Sequence, residues 1–437
     1  MNFETINKEL MSFIDKSYSA FHAVKELATI LEENGFTKLL ESEKWTLNDG
    51  GKYYVTRNQS SIIAFTVPKK DFTGFNMVAS HSDSPTFKLK QNNQIKVEGN
   101  YTKLNTEPLG GLIASTWCDR VLSVAGRVLI NTENGIESKL VNIDKDLLII
   151  PNVAIHMQRD HNDGRKINPQ VDMLPLLGDE TADIMDIISK EICVEKENII
   201  SHDLFLYPRI QAKIIGANGE FINCPKLDDL QCAFTSIKAI TQSENKQSVN
   251  LAAVFDNEEV GSSTKQGAGS TFLFDTLTRI CLVVGKSTED YKIAISNSFM
   301  VSADNAHAVH PNAPEKTDQT NRNYINKGPV IKHSANQKYT TDAVSSAIFK
   351  KLCKIADVPY QEFHNRSDMP GGSTLGNISN TKVSLNTVDI GLPQFAMHSA
   401  VETAGTKDTA YTVEALKVLY TTEFIATDFG IEMKGTN

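Results

Sequence analysis

The run "FNMVASHSDSP", residues 75–85, carries a short, largely apolar segment straight into a histidine and an aspartate two positions apart. A run with little polar alternation reads as a strand buried on both faces, as in sheets covered by helices on each side. Taken alone, His81-x-Asp83 reads as a turn or a cap. Three further segments repeat the pattern. "SVNLAAVF" (248–255) runs into Asp256-Asn257-Glu258-Glu259, "FMVSAD" (299–304) ends in Asp304 with Asn305, Ala306 and His307 behind it, and "GLPQFAMHSAVE" (391–402) carries His398 and Glu402. "CPKLDDL" (224–230) adds Asp228 and Asp229. Each has an ordinary reading of its own: an acidic loop, a helix start favoured by the macrodipole, a cap, a core histidine. Their recurrence at the ends of buried runs is what points to a site, because open α/β sheets build sites at the carboxyl ends of their strands.

Helical spacing surrounds these runs. Ile6, Leu10, Phe13 and Ile14 predict a first helix, and Val24, Leu27, Ile30 and Leu31 a second, stopped by Asn34-Gly35. A last helix is expected from about Asp408, with Val413, Leu416, Tyr420 and Phe424 on one face. Residues 93–222 read differently. "NQIKVEG", "GRVLI", "SKLVNI", "DLLIIPNVAIHM" and "LFLYPRIQAKIIGA" are β-like, "GANGEF" resembles a hairpin turn, and one helix (Ile184, Ile187, Ile188, Ile192) interrupts them. The architecture expected is an α/β domain from both ends of the chain, 1–92 and 223–437, with a β-rich domain, 93–222, inserted.

The 437 residues are 40% hydrophobic and 22% charged, enough for a large core and more than one domain. The net charge of −9, with no basic stripe, speaks against nucleic acid as a partner. Six scattered cysteines without a C-x-x-C read as reduced thiols. The start, "MNFETINKELMSFIDKS", is charged and amphipathic, unlike a signal peptide, and no apolar run approaches the roughly 20 residues of a membrane helix. A cytoplasmic protein without a membrane partner is expected.

The residue types suit two close divalent cations. Carboxylates offset the charge and one of them bridges, imidazole completes each coordination sphere, and a further carboxylate serves as base to the activated water. Adjacent Glu258 and Glu259 could divide that work, one as base and one as ligand, with Asp83 accepting the second N–H of His81.

With these motifs in view, the sequence resembles the aspartyl aminopeptidase and vacuolar aminopeptidase I family of dizinc exopeptidases. The resemblance runs in order through "SYSAFHAV" (17–24), "ASHSDSP" (79–85), "CDRVLSVAGRV" (118–128), "NVAIHMQR" (152–159), "KLDDL" (226–230), "FDNEEVGSSTKQGAGS" (255–270), "VSADNAHAVHPN" (301–312), "GPVIKHSANQKYTTD" (328–342), "RSDMPGGSTLG" (366–376) and "TVDIGLPQFAMHSAVE" (387–402). It implies a mixed-sheet dizinc exopeptidase-like catalytic domain with an inserted β-rich domain, and an aminopeptidase releasing an acidic or neutral N-terminal residue. Two Zn2+ per subunit are implied, with Co2+ or Mn2+ as possible substitutes.

By resemblance, His81, Asp228, Glu259, Asp304 and His398 are metal ligands, Asp228 bridges, and Glu258 is the base acting on a metal-bridged water. Asp83 orients His81, and His156 reaches into a neighbouring subunit's site. Lys332, Tyr339, Gly371 and Gly372 lie in the segments expected to bind substrate. The implied partners are peptides with a free N-terminus and further copies of the chain in a tetrahedral homododecamer. The family's usual Arg-Leu-Asp-Asn-Leu is here Lys226-Leu227-Asp228-Asp229-Leu230, its Trp-Phe-Asp-Arg is Trp117-Cys118-Asp119-Arg120, and its Cys-Gly-Ser-Thr is Gly371-Gly372-Ser373-Thr374. Every implied ligand position stays filled. Two other readings are a related binuclear zinc carboxypeptidase or deacylase, and a non-catalytic self-assembling scaffold or cargo particle.

Overall fold

A computed structural model describes residues 1–244 and 247–435. Its centre is a nine-stranded mixed sheet in the order Thr37–Leu39, Gly51–Arg57, Ser61–Val67, Ser248–Phe255, Gly74–His81, Phe299–Ala303, Asn386–Gly391, Val330–His333, Gln361–His364. The four middle strands, from Ser248–Phe255 to Asn386–Gly391, are parallel. Ser61–Val67 and Val330–His333 join them antiparallel on either side. Three of the four, Ser248–Phe255, Gly74–His81 and Phe299–Ala303, are buried along their whole length, which explains their missing polar alternation.

Helices cover both faces. Phe3–Lys16, Ala20–Glu33, Leu227–Thr241, Ala343–Ile355 and Asp408–Thr421 bury Leu10, Leu27, Phe234, Phe349 and Leu416 in one core. Phe272–Val283 and Thr288–Ser296 bury Leu277 and Tyr291 in the other. The register aligns the strand ends: His81 lies opposite Phe255, and Ser302 opposite Ala79. The segments after His81, Phe255 and Ala303 therefore leave the sheet at one edge.

A second sheet is antiparallel, in the order Gly135–Asn142, Leu122–Thr132, Ile199–Pro208, Thr86–Val97, Tyr101–Leu109, Leu176–Asp179, with its own core of Phe87, Trp117, Val124, Ile184 and Leu204. Its limits differ from the expected 93 and 222. Thr86–Val97 is one continuous strand, so the sheet begins seven residues earlier. "LFLYPRIQAKIIGA" is divided: Ile199–Pro208 stays in this sheet, whereas Lys213–Ile215 and Phe221–Cys224 form a hairpin, through the expected turn, that pairs with Glu402–Gly405 in a five-stranded sheet.

Two expected elements differ. "DLLIIPNVAIHM" contributes only isolated bridges at Leu148 and Ile149 before passing into turns, because Pro151 lacks an N–H for a ladder. The last helix ends at Thr421, and Phe424 instead enters the core from the strand Glu423–Thr427, stacked on Phe299 with ring centroids 5.2 Å apart. Among the described residues no helix is long and apolar enough to cross a membrane.

Candidate metal centre

His81 is the last residue of Gly74–His81 and is fully buried. Its Nδ1 lies 3.1 Å from the main-chain oxygen of Asp83 and 3.3 Å from that residue's Oδ1. A proton held there leaves Nε2 free as a ligand. The Asp83 carboxylate has other work too. Its two oxygens accept the backbone N–H groups of Glu258 and Glu259, each at 3.1 Å, so it fixes the loop after Ser248–Phe255 against the loop after Gly74–His81.

Asp228 stands between the imidazoles. Its Oδ1 is 3.6 Å from His81 Nε2 and its Oδ2 is 3.3 Å from His398 Nε2. Asp228 and Asp229 lie at the start of Leu227–Thr241 but keep non-helical backbone angles, which turns the Asp228 side chain out of the helical path. Glu259 Oε1 is 3.3 Å from His398 Nε2, and Glu258 Oε2 is 4.0 Å from His81 Nε2. His398 Nδ1 lies 2.9 Å from the Gly111 carbonyl, so a backbone group next to the antiparallel sheet orients this second ring. Ligand atoms of His81, Asp228 and Glu259, and likewise of His81, Glu258 and Asp304, lie within 4.8 Å of one another.

Burial of so many carboxylates has an electrostatic cost, visible in their pKa values. Burial pushes the Glu258 carboxyl up to about 9, with Asp304, Glu259 and Asp83 adding to the rise against the pull of His81. Burial lifts Glu259 to about 7 and also raises Asp304. Burial opposes the charging of His398, yet Asp228 and Glu259 hold it up at about 11. The carboxylates outweigh the two imidazoles and Lys332, and divalent cations would offset the excess. Asp228 Oδ1 and Glu259 Oε1 are buried without a hydrogen-bond partner among the described residues. Orphaned anionic oxygens beside imidazole nitrogens fit the mixed oxygen and nitrogen coordination of zinc.

The expected substrate residues are less concentrated. Lys332 is buried, with Nζ 3.2 Å from Asp304 Oδ1, 2.8 Å from the Asn305 carbonyl and 5.5 Å from the Tyr339 ring centroid. Gly372 lines a pocket of about 290 Å3 with His307, His310, His364, Arg366 and Ala396, and Gly371 packs against Asn365. His156 is exposed in a turn and does not join the cluster within one chain. Sequence reasoning assigned no task to Glu402, whose Oε2 accepts the Asp228 N–H at 3.0 Å and whose Oε1 accepts the His398 N–H at 2.7 Å. Its place four residues after His398 was the available signal. The Gly111 carbonyl left none.

Carboxylates and imidazoles converging at the carboxyl edge of a mixed parallel-core sheet, around a carboxylate shared by two rings, define a metallohydrolase of the zinc exopeptidase kind. The family model for the aminopeptidase I zinc metalloprotease (M18) matches residues 13–420. A probable M18 family aminopeptidase 2 of Clostridium acetobutylicum is 48% identical over 426 residues, covering 94% of this chain and 98% of that protein. A namesake from Pseudomonas syringae pv. tomato is 38% identical over 427 residues, covering 95% and 98%. The solved Ape4–Nbr1 complex has a chain 36% identical that superposes with a TM-score of 0.92, covering 96% of this chain and 86% of that one. A structure of the mApe1 dodecamer from S. cerevisiae gives 0.85 at 26% identity, covering 96% and 97%. The chain belongs to the M18 family and is a zinc metallo-aminopeptidase.

Proposed function

We propose that this enzyme removes an acidic or neutral N-terminal residue from peptides with two zinc ions per subunit, and that Asp228 is shared between them. The observation that carries the reading is the Asp228 carboxylate, with one oxygen facing His81 and the other facing His398. On this reading His81 and Asp304 complete one position, and His398 and Glu259 the other. Zinc held there would supply Lewis acidity to a scissile carbonyl and lower the pKa of water.

The chain's own residues do the rest. Glu258, close to His81 but outside the His398–Glu259 pair, takes a proton from the attacking water on its carboxylate and delivers it to the leaving amine. Asp83 holds the Glu258 and Glu259 backbones in place for that transfer. Lys332 lies beside the centre as a cation for an acidic substrate side chain. Residues 86–208 are read as an inserted β-rich unit that mediates self-association, with the His156 turn serving a neighbouring copy; the dodecameric state of the mApe1 neighbour supports the self-association. Unpaired cysteines agree with a cytoplasmic location.

Glu258→Gln decides the central role. Zinc content should stay at the wild-type level while kcat falls by about 10²–10⁴-fold. Near wild-type turnover in that variant would overturn the assignment.

A further inference from the structure

We propose that Asp229 and Glu402 are positioning residues, each holding the backbone of one imidazole ligand, and that they differ in what can replace them. This rests on the two-zinc reading above.

The two rings belong to different sheets, His81 at the end of Gly74–His81 in the nine-stranded sheet and His398 between Pro393–Phe395 and Glu402–Gly405 of the five-stranded one, and each main chain is tied by one buried carboxylate. The His81 N–H donates to Asp229 Oδ2 at 3.1 Å. The His398 N–H donates to Glu402 Oε1 at 2.7 Å. Both carboxylates are almost wholly excluded from solvent. His398 needs such a tie, because its φ of +67° lies in the left-handed region that residues bearing a side chain avoid. Glu402 also takes the Asp228 N–H on its second oxygen at 3.0 Å, so one side chain locks the shared carboxylate to the second ring.

Donor count separates the two residues. Glu402 accepts N–H groups on both oxygens. An amide there would turn its NH2 against one of those donors, leaving a buried N–H unpaired. Asp229 accepts one backbone N–H, and its other oxygen meets no N–H donor among the described residues. An amide oxygen can take over that N–H, and the Cys232 thiol beside Asp229, which has Asn305 Oδ1 as an acceptor at 3.2 Å, does not require a second oxygen there. Glutamine at 402 is therefore a damaging replacement although it keeps the shape, whereas asparagine at 229 preserves the tie.

Zinc per chain, measured by elemental analysis after dialysis against graded zinc buffers, tests this on the full-length enzyme, together with circular dichroism, kcat and KM. Wild type should hold two ions. Glu402→Gln should keep its fold but bind one of them about 10–100-fold more weakly. Its kcat should rise with added zinc while KM changes less. Asp229→Asn should hold two ions near wild-type affinity, and Asp229→Ala should weaken one. Wild-type affinity at both positions in Glu402→Gln would overturn the proposal, as would equal weakening in Asp229→Asn and Asp229→Ala. If Glu402→Gln fails to fold, the Asp229 pair alone decides. A wild-type enzyme that binds fewer than two ions would instead refute the two-zinc reading.

Discussion

Lys332 shows how much the surroundings of one residue decide. It lies in a segment of ordinary composition, yet its ammonium is buried against Asp304 and the Asn305 carbonyl beneath Tyr339. Burial alone would favour the neutral amine, but Asp304 outweighs it and keeps the group charged. Lys332→Ala should lower kcat/KM for Asp and Glu substrates by about 10–100-fold, as expected for a hydrogen bond to a charged group, and change Leu substrates far less. Equal losses on both would show that the lysine serves Asp304 and not the substrate. At this scale the acids and imidazoles of the centre were legible, because ligand chemistry restricts residue type. The Gly111 carbonyl was not, since any residue can present a main-chain oxygen.

Buried polar groups join elements that the hydrophobic pattern treats as separate. Asn76, in the middle of Gly74–His81, donates to the Leu419 and Thr422 carbonyls at 3.0 and 2.6 Å, satisfying the end of the helix Asp408–Thr421. Asn76→Ala should cost about 2–4 kcal/mol in denaturant unfolding, because both carbonyls lose a buried partner. His22, on Ala20–Glu33, is buried against Ser19 and Tyr18, and burial first, then Lys25 and Lys226, lowers its pKa to about 4. The folded state thus refuses a proton that the unfolded chain accepts below about 6.5. The contribution is complete above that pH and is lost as pH falls toward 4. Relative to His22→Asn, the wild type should lose about 2 kcal/mol between pH 7.5 and pH 5, read from unfolding midpoints. The helices were legible from spacing and the buried strands from their lack of alternation. The end of the last helix was not, because Phe424 satisfies a helical period while belonging to a strand.

Over the molecule as a whole, the exposed apolar side chains include several on the antiparallel sheet. Met157 (82% exposed), Val171 (66%) and Tyr101 (55%) lie in or beside the antiparallel sheet, and Met157 is the immediate neighbour of the exposed His156. Apolar exposure of this kind marks contact surfaces. Sedimentation should give a mass many times the 48.3 kDa of one chain. Met157→Asp should dissociate the assembly, and activity should fall with it if His156 completes a neighbouring site. A fully active monomer would exclude that role.

The order of residue types along the chain settled the mixed α/β class and pointed to the sheet edge at which the acids and imidazoles gather, since strands buried on both faces admit few kinds of side chain. Folding alone decided that Thr86 and not residue 93 opens the antiparallel sheet, that the 213–224 hairpin pairs with Glu402–Gly405, and that Asp83, Asp229 and Glu402 hold the backbones of the proposed ligands and base. Those outcomes depend largely on hydrogen bonds between groups far apart in the chain, such as Asp83 with Glu259, 176 residues away, and no local pattern encodes which distant N–H a carboxylate will meet.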